Sequence, residues 1–296
     1  MHVALTGASG FIGSVIARHL REAGHTVTGL VRASSRRDHV EPYVERFVVG
    51  DQADERIWPD LIEGSDCVIH NSFDWAPLKG AGDLDGHLQS NLVGSIRLLE
   101  AAAPRAFIFL SSVSVHHDMR PRWEGLIDDD HPLRPATPYG AYKAAVEVHL
   151  LAAYYGRGQP TCAIRPCGVY GIDPRLERSI GHPIVETLRA GEPFTRPGGG
   201  KFVHVDDVAA AVTATVGNPD AAGKAYHLAD CYARWADWAV MAAELLGVDA
   251  EIDTSSPAQP RNTFSKDPAR SLGVQLDRGH EGIREHLREL IALMRP

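Results

Sequence analysis

The sequence predicts an α/β fold: a doubly wound parallel sheet with a smaller α+β region toward the C-terminal side. Three observations carry this. Short apolar runs alternate with amphipathic stretches through the first half of the chain. Glycines recur at positions 7, 10 and 13, where the first apolar run gives way to the first amphipathic one. After Pro166 the alternation lapses and Pro and Gly become frequent, as in "GHPIVETLRAGEPFTRPGGGKF".

The elements follow in order. "HVALTG" reads as a strand. Phe11 to Ala23 reads as a helix, because Ile12, Val15, Ile16 and Leu20 recur at three- and four-residue steps, and Gly24 ends it. "HTVTGLV", "ERFVVGD" and "DCVIHNS" are the second, third and fourth strands. Asp83 to Ala103 is helical, with Leu92, Ile96 and Leu99 on one side. "AFIFLSS" is the fifth strand, Pro138 to Tyr155 the next helix, and "TCAIRP" the sixth strand. Unbroken apolar strands joined by helices imply a parallel sheet covered on both faces. Residues 1–166 are therefore assigned to a dinucleotide-type domain and residues 167–296 to a substrate-binding region. The latter contains helices at "DDVAAAVTATV", "WADWAVMAAELLG" and "EGIREHLRELIALM".

Composition narrows the function. With 30 basic and 38 acidic residues the net charge is −8, which disfavours nucleic acid and anionic membrane as general partners. No apolar run approaches the roughly 18 residues of a membrane span. The opening "MHVALTGASG" has no charged n-region or cleavage site, so no leader is expected. Cys67, Cys162, Cys167 and Cys231 form no C-x-x-C pair; they read as structural thiols in a reducing, cytoplasmic protein. The 15 histidines include no H-E-x-x-H and no tight His/Cys cluster, so no metal site is expected.

"TGASGFIG" spans residues 6 to 13. Glycine allows the tight turn and lets the backbone approach a pyrophosphate, to which the following helix start offers free N–H groups. Gly7, Ser9, Gly10, Phe11, Ile12 and Gly13 are thus candidate cofactor-binding residues. At the end of the second strand an acidic residue would favour NAD through the ribose 2′-hydroxyl. Here "LVRASSRRD" places Arg32 there, with Ser34, Arg36 and Arg37 close by. Guanidinium groups grip phosphate through forked, charge-assisted hydrogen bonds, so the expected cofactor is NADP, with NAD possible. The alternative for this stretch is a solvated basic turn.

"TPYGAYKAAVE" sets Tyr139 and Lys143 one helical turn apart. A nearby ammonium stabilises a phenolate, so the Tyr139 pKa is expected to be lowered, making it a general acid or base. "FIFLSSVSVHH" ends a strand with Ser111 and Ser112, at the edge where ligands bind in open α/β sheets.

Taken with "GD" at Gly50–Asp51, "DCVIHNS", "NLVGSIRLLEAA", "RPCGVYG", "FVHVDDVA" and "AYHLAD", these segments run almost end to end. In that order the chain resembles the extended short-chain dehydrogenase/reductases, the NAD-dependent epimerase/dehydratase family. The resemblance implies a Rossmann sheet whose second region is partly interleaved with the first, and a homodimer built on the two long helices. It implies that Tyr139 exchanges a proton with the substrate oxygen, Lys143 bonds the nicotinamide ribose, and Ser112 bonds the substrate carbonyl or hydroxyl. It further implies that Asp51 and Gln52 border the adenine and that Asn71 and Ser72 line the ribose–pyrophosphate run. Pro166 and Val169 would lie by the nicotinamide, Ser111 would join the cofactor set, and Asn91 would be structural.

The chain also departs from that pattern. Val113 and Ser114 follow Ser112 where 4,6-dehydratases carry Asp-Glu, so no acid is placed for dehydration. The Asn expected after "RPCGVYG" is missing, and Lys201 stands near an expected Arg; Arg175 and Arg178 could substitute as anchors for a nucleotide diphosphate. Asp74 and Trp75 could shape a pocket for a smaller polar or ring-bearing substrate, whereas His116 and His117 read as bystanders. The expected function is hydride transfer between NAD(P) and a carbonyl or secondary alcohol of a small polar or sugar-like substrate. The alternatives are a sugar epimerase working through a transient ketone and a non-catalytic NADP-sensing protein.

Overall fold

A computed structural model describes residues 1–80, 82–117, 119–120 and 122–294. In chain order its elements begin with β1 (His2–Thr6), α1 (Phe11–Glu22), β2 (Thr26–Val31), β3 (Arg46–Val49), α2 (Trp58–Ile62) and β4 (Cys67–His70). α3 (Leu84–His87) continues through a π-helical stretch, Leu88–Val93, into α4 (Gly94–Ala102). Next come β5 (Ala106–Leu110), β6 (Leu126–Ile127), α5 (Pro138–Arg157), β7 (Thr161–Pro166) and β8 (Gly168–Tyr170). α6 (His182–Arg189), β9 (Gly199–His204), α7 (Val205–Thr215), β10 (Lys224–Leu228) and β11 (Cys231–Arg234) follow. The chain closes with α8 (Trp235–Leu246), β12 (Thr263–Phe264), α9 (Asp267–Ser271) and α10 (Gly279–Leu293).

Seven strands form one sheet in the order β10-β7-β5-β4-β1-β2-β3, every pair parallel. After β3 the chain crosses back to lay β4 on the other side of β1. This reversal opens a crevice at the C-terminal ends of β1 and β4, the place where such sheets bind ligands. One face is sealed by Ile16 and Leu20 of α1 with Val208 and Val212 of α7. The other is sealed by Leu98 and Leu99 of α4 with Tyr142, Val146 and Leu150 of α5. A separate core around Tyr170, Trp238 and Leu287 joins α6, α8 and α10. It lies beside a three-stranded sheet, β11-β9-β8.

The sheet layer extends past the 1–166 span assigned from composition. After β9 the chain returns to it, α7 against α1 and β10 as the seventh strand beside β7. "KAYHL" hid from the apolar pattern because its fully buried His227 is polar. The structure satisfies that histidine through Arg165.

Arg165 on β7 forms a buried ion pair with Glu147 of α5 at 2.6 Å. Its other nitrogen donates to Nε2 of both His116 and His227, each at 3.2 Å. Ser111 donates its hydroxyl to the same carboxylate. Both imidazoles act as acceptors, so both are neutral. Burial, aided by the Arg165 charge, pushes His116 down to about 4 and His227 to about 2. The network pins α5, β7, β10 and the end of β5 together beneath the crevice.

Two predictions follow from these contacts. Arg165→Met leaves the Glu147 carboxylate buried without its partner and is expected to cost about 3–5 kcal/mol; urea unfolding reads this, and a loss below about 1 kcal/mol refutes the pairing. The histidines set a pH dependence. Their folded pKa values lie below the unfolded value near 6.5, so the unfolded chain takes up protons first as pH falls. The stability they lend is complete above about pH 6.5 and is lost as pH falls, toward about 4 for His116 and about 2 for His227. A urea midpoint that stays flat from pH 7 to 5 contradicts this.

Candidate active site

The crevice begins at the turn between β1 and α1. Gly7 sits at φ +69°, a conformation that a side chain would strain. A Cβ on Gly13 would lie 2.0 Å from the Gly7 carbonyl oxygen and 2.9 Å from Asn71 Nδ2. No side chain caps α1 at Gly10, so its first N–H groups face the crevice with the positive end of the helix dipole. His39 stiffens the turn by donating from Nε2 to the Ser9 carbonyl at 3.1 Å.

A cavity of about 960 Å³ opens on this turn. Gly7, Ser9, Gly10, Phe11, Ile12, Arg32, Ser34, Arg36, Gln52, Asn71 and Ser72 line it, as the sequence led us to expect of a cofactor groove. The fit to a dinucleotide is physical: the floor is a glycine cradle that a Cβ would fill, under an uncapped helix start. His39 and Lys79, which no motif marked, also line it, together with Phe73.

Other candidates are spent on neighbouring groups or lie outside the cavity lining, which Asp74 does join. Gly13 serves as the contact that lets α1 close on β1. Arg37 lays its guanidinium over the Phe47 ring, 5.6 Å from the centroid, and is absent from the lining. Asp51 faces Arg32 at 3.8 Å, and Asp74 faces the same guanidinium at 3.5 Å. Ser111 spends its hydroxyl on Glu147. Pro166 ends β7 and Val169 lies on β8, both outside the cavity lining.

Two polar clamps hold the segment after β4. Thr6 Oγ1 accepts from the backbone N–H groups of Asn71 and Ser72, each at 3.0 Å. With its lone pairs so used, the hydroxyl donates to His70 Nδ1 at 2.9 Å. His70 Nε2–H then donates to Ser95 Oγ at 2.8 Å, and Ser95 meets the Tyr142 hydroxyl at 3.1 Å. Burial, helped by the Lys143 charge, holds His70 down at about 3, so this relay stays neutral. Further along, Asn91 in the π-helical stretch accepts from Asp74 N at 2.8 Å and donates to Asp74 O at 2.9 Å. Asn91 is thus a structural hydrogen-bonder, and the local π geometry delivers its amide to the loop.

The clamped loop presents Phe73 and Trp75 to α5. Trp75 stacks on Tyr139 with centroids 5.2 Å apart and planes 17° apart; Phe73 meets the same ring edge-on at 5.0 Å. α5 starts with Thr137 as its cap, accepting from Gly140 N at 3.0 Å, and Pro138 in its first turn. A Cβ on Gly140 would fall 2.5 Å from the Ser114 carbonyl oxygen. That close approach brings Tyr139 beside Ser112, which caps the turn Val113–Val115 by accepting from Ser114 N at 3.1 Å.

Lys143 is buried one turn along, donating to the Leu110 carbonyl. Its ammonium lies 4.4 Å from the Phe109 ring centroid, 5.1 Å from Tyr142 and 5.6 Å from Tyr139. The sequence led us to expect a lowered Tyr139 pKa. The structure has the opposite direction: burial pushes the phenol up to about 12, with the Ser112 hydrogen bond opposing. Burial also brings Lys143 down to about 7, against the pull of Glu147. The aromatic lid outweighs the ammonium, because removing water disfavours both charged forms.

Among the described residues no group of His, Cys, Asp or Glu is arranged to hold a metal ion, and no helix is long and apolar enough to cross a membrane. All four cysteines are free.

Known proteins agree with this architecture. The UDP-glucose 4-epimerase of Mycolicibacterium smegmatis is 31% identical over 244 residues, 77% of each chain. The 2-alkyl-3-oxoalkanoate reductase of Stenotrophomonas maltophilia is 30% identical over 176 residues, 58% of this chain and 52% of that one. A crystal structure of a short-chain dehydrogenase/reductase superfamily protein from Agrobacterium tumefaciens, with bound NAD, shares the fold. Its TM-score is 0.78 over 99% of this chain and 98% of that one, at 23% identity. The profile of the NAD dependent epimerase/dehydratase family matches residues 3–229. With its glycine cradle and its doubly wound sheet, the chain belongs to that family, the extended short-chain dehydrogenase/reductase enzymes.

Proposed function

We propose that the protein is an NADP-dependent oxidoreductase acting on a carbonyl or secondary alcohol of a small polar or sugar-like substrate. The observation that carries this is the junction of Ser112 and Tyr139 at the C-terminal edge of the sheet, next to the glycine-floored cavity. When bound, the nicotinamide would supply or accept the hydride. Ser112 would donate a hydrogen bond to the substrate oxygen and Tyr139 would pass it the proton. Lys143, tethered at Leu110, would hold a ribose hydroxyl and keep the ring of Tyr139 in place. Burial keeps the phenol protonated at neutral pH, which suits donation to a developing alkoxide and therefore the reducing direction.

The NADP preference rests on Arg32, Ser34 and Arg36, which line the cavity where an NAD-type pocket would carry a carboxylate. Ser111, Pro166 and Val169 belong to the nicotinamide end of the same reading. The second reading is a sugar epimerase, favoured by the 31% identity to a UDP-glucose 4-epimerase; it needs no further residue. Dehydration lacks an acid beside Ser112. A homodimer is part of this proposal, supported by exposed Val148, Leu151 and Tyr155 on α5 and Leu84 on α3, as is a cytoplasmic site of action, supported by free thiols.

Tyr139→Phe is expected to retain nucleotide affinity and lose about 10²–10⁴-fold in kcat; a fully active variant removes Tyr139 from the chemistry. In titrations, NADPH should bind more tightly than NADH, and Arg36→Ala should narrow the gap. Equal or tighter NADH binding by the wild type overturns the preference. Following absorbance at 340 nm over a panel of aldehydes, ketones and sugars separates the two readings. A reductase consumes NADPH in step with product, whereas an epimerase interconverts its sugars with no net consumption.

A further inference from the structure

The cavity has two walls of different origin. One is the β1–α1 turn, from Ser9 to Ile12, with Arg32, Ser34, Ser35, Arg36 and His39 after β2. The other comes from the loop after β8, through Asp173, Pro174, Arg175 and Arg178. The loop is set down over the start of α1 by Gly171, at φ +145°, where a Cβ would lie 2.6 Å from Val205 and 3.3 Å from the Phe11 ring. It is held at both ends: Arg175 N donates to Asp173 Oδ1 at 2.8 Å, and Asp173 N donates to Ser179 Oγ at 3.0 Å. Glu177 comes close enough to Arg36 to favour its charged form.

The charges on the two walls are not equally spent. Arg32 faces Asp51 and Asp74, and Arg36 makes a fork to Asp38. Among the described residues the side chains of Arg175 and Arg178 make no hydrogen bond or ion pair, although they line the cavity. In a chain of net charge −8, two exposed and unspent arginines on the lining of a cavity that also holds the glycine turn offer forked donors to an anion.

We infer that Arg175 and Arg178 close over the bound dinucleotide and grip its phosphate oxygens, so that the cofactor is held between both parts of the chain. The inference rests on the dinucleotide reading of the cavity but not on the NADP preference. The phosphate has two sources, the pyrophosphate common to both nucleotides and the 2′-phosphate of NADP.

The test is calorimetric titration of wild type and the double variant Arg175→Gln, Arg178→Gln with NADPH and with NADH. Both side chains are exposed, so the nucleotide-free melting temperature should not move. The NADPH dissociation constant is expected to rise about tenfold or more. An equal rise for NADH assigns the grip to the pyrophosphate; an unchanged NADH value assigns it to the 2′-phosphate; either bears the inference out. A lysine pair at the same positions should recover part of the loss. A glutamine pair that binds both nucleotides as tightly as wild type overturns the inference, whatever it does to the substrate KM. Wild type that prefers NADH sinks only the NADP preference, whereas wild type that binds neither nucleotide sinks both.

Discussion

A single carbonyl oxygen dictates the geometry of this protein. Gly7 points it at the α-carbon of Gly13, leaving no space for any side chain between β1 and α1. That contact seats the helix directly over the strand, bares its first N–H groups and sets the floor of the cavity. Asn71, just after β4, presses on the same spot, so three segments meet where the strand order reverses. The cavity opens at this meeting point.

The loop beside Tyr139 is positioned by polar groups that do not touch the phenol. Thr6 accepts two backbone N–H bonds from the segment after β4 and donates its own O–H to a neutral His70, which donates in turn to Ser95 beside Tyr142. Asn91 grips Asp74 by both backbone groups. Between them these clamps aim Phe73 and Trp75 at Tyr139, and the rings exclude water from the phenol and from Lys143. The raised phenol and the depressed ammonium have one cause, desolvation, acting with opposite sign on an acid and a cation. The pair is therefore better described as a neutral phenol donor beside an amine whose pKa burial has lowered than as a phenolate beside an ammonium.

Beneath the crevice, Glu147 and Arg165 bury a charge pair that would be costly without its company. Ser111, His116 and His227 supply that company. The arrangement ties the helix carrying Tyr139 and Lys143 to two strands, one of which arrives only after the chain has left the sheet and returned. The first and second halves of the chain thus share one foundation, and the loop after β8 extends that sharing to the cavity, which it lines with Arg175 and Arg178.

The order of strands and helices, the glycine turn and the Tyr139–Lys143 spacing were all legible in the sequence, because each is local: a period, a spacing, a residue type that one backbone conformation requires. The same holds for the family resemblance, which is a set of short segments in order. Tertiary structure alone decided the rest. Lys224–Leu228 became the seventh strand because β7 offered it a partner and Arg165 satisfied its histidine. Arg37 went to Phe47 and Ser111 to Glu147, each drawn by a neighbour distant in the chain. Trp75 reached Tyr139 through a loop clamped by Asn91, and so reversed the expected direction of the phenol's pKa. Arg175 and Arg178 faced the cofactor turn because Gly171 laid their loop against Phe11. Local periodicity cannot report such contacts, since desolvation and pairing depend on which remote segments the fold brings together.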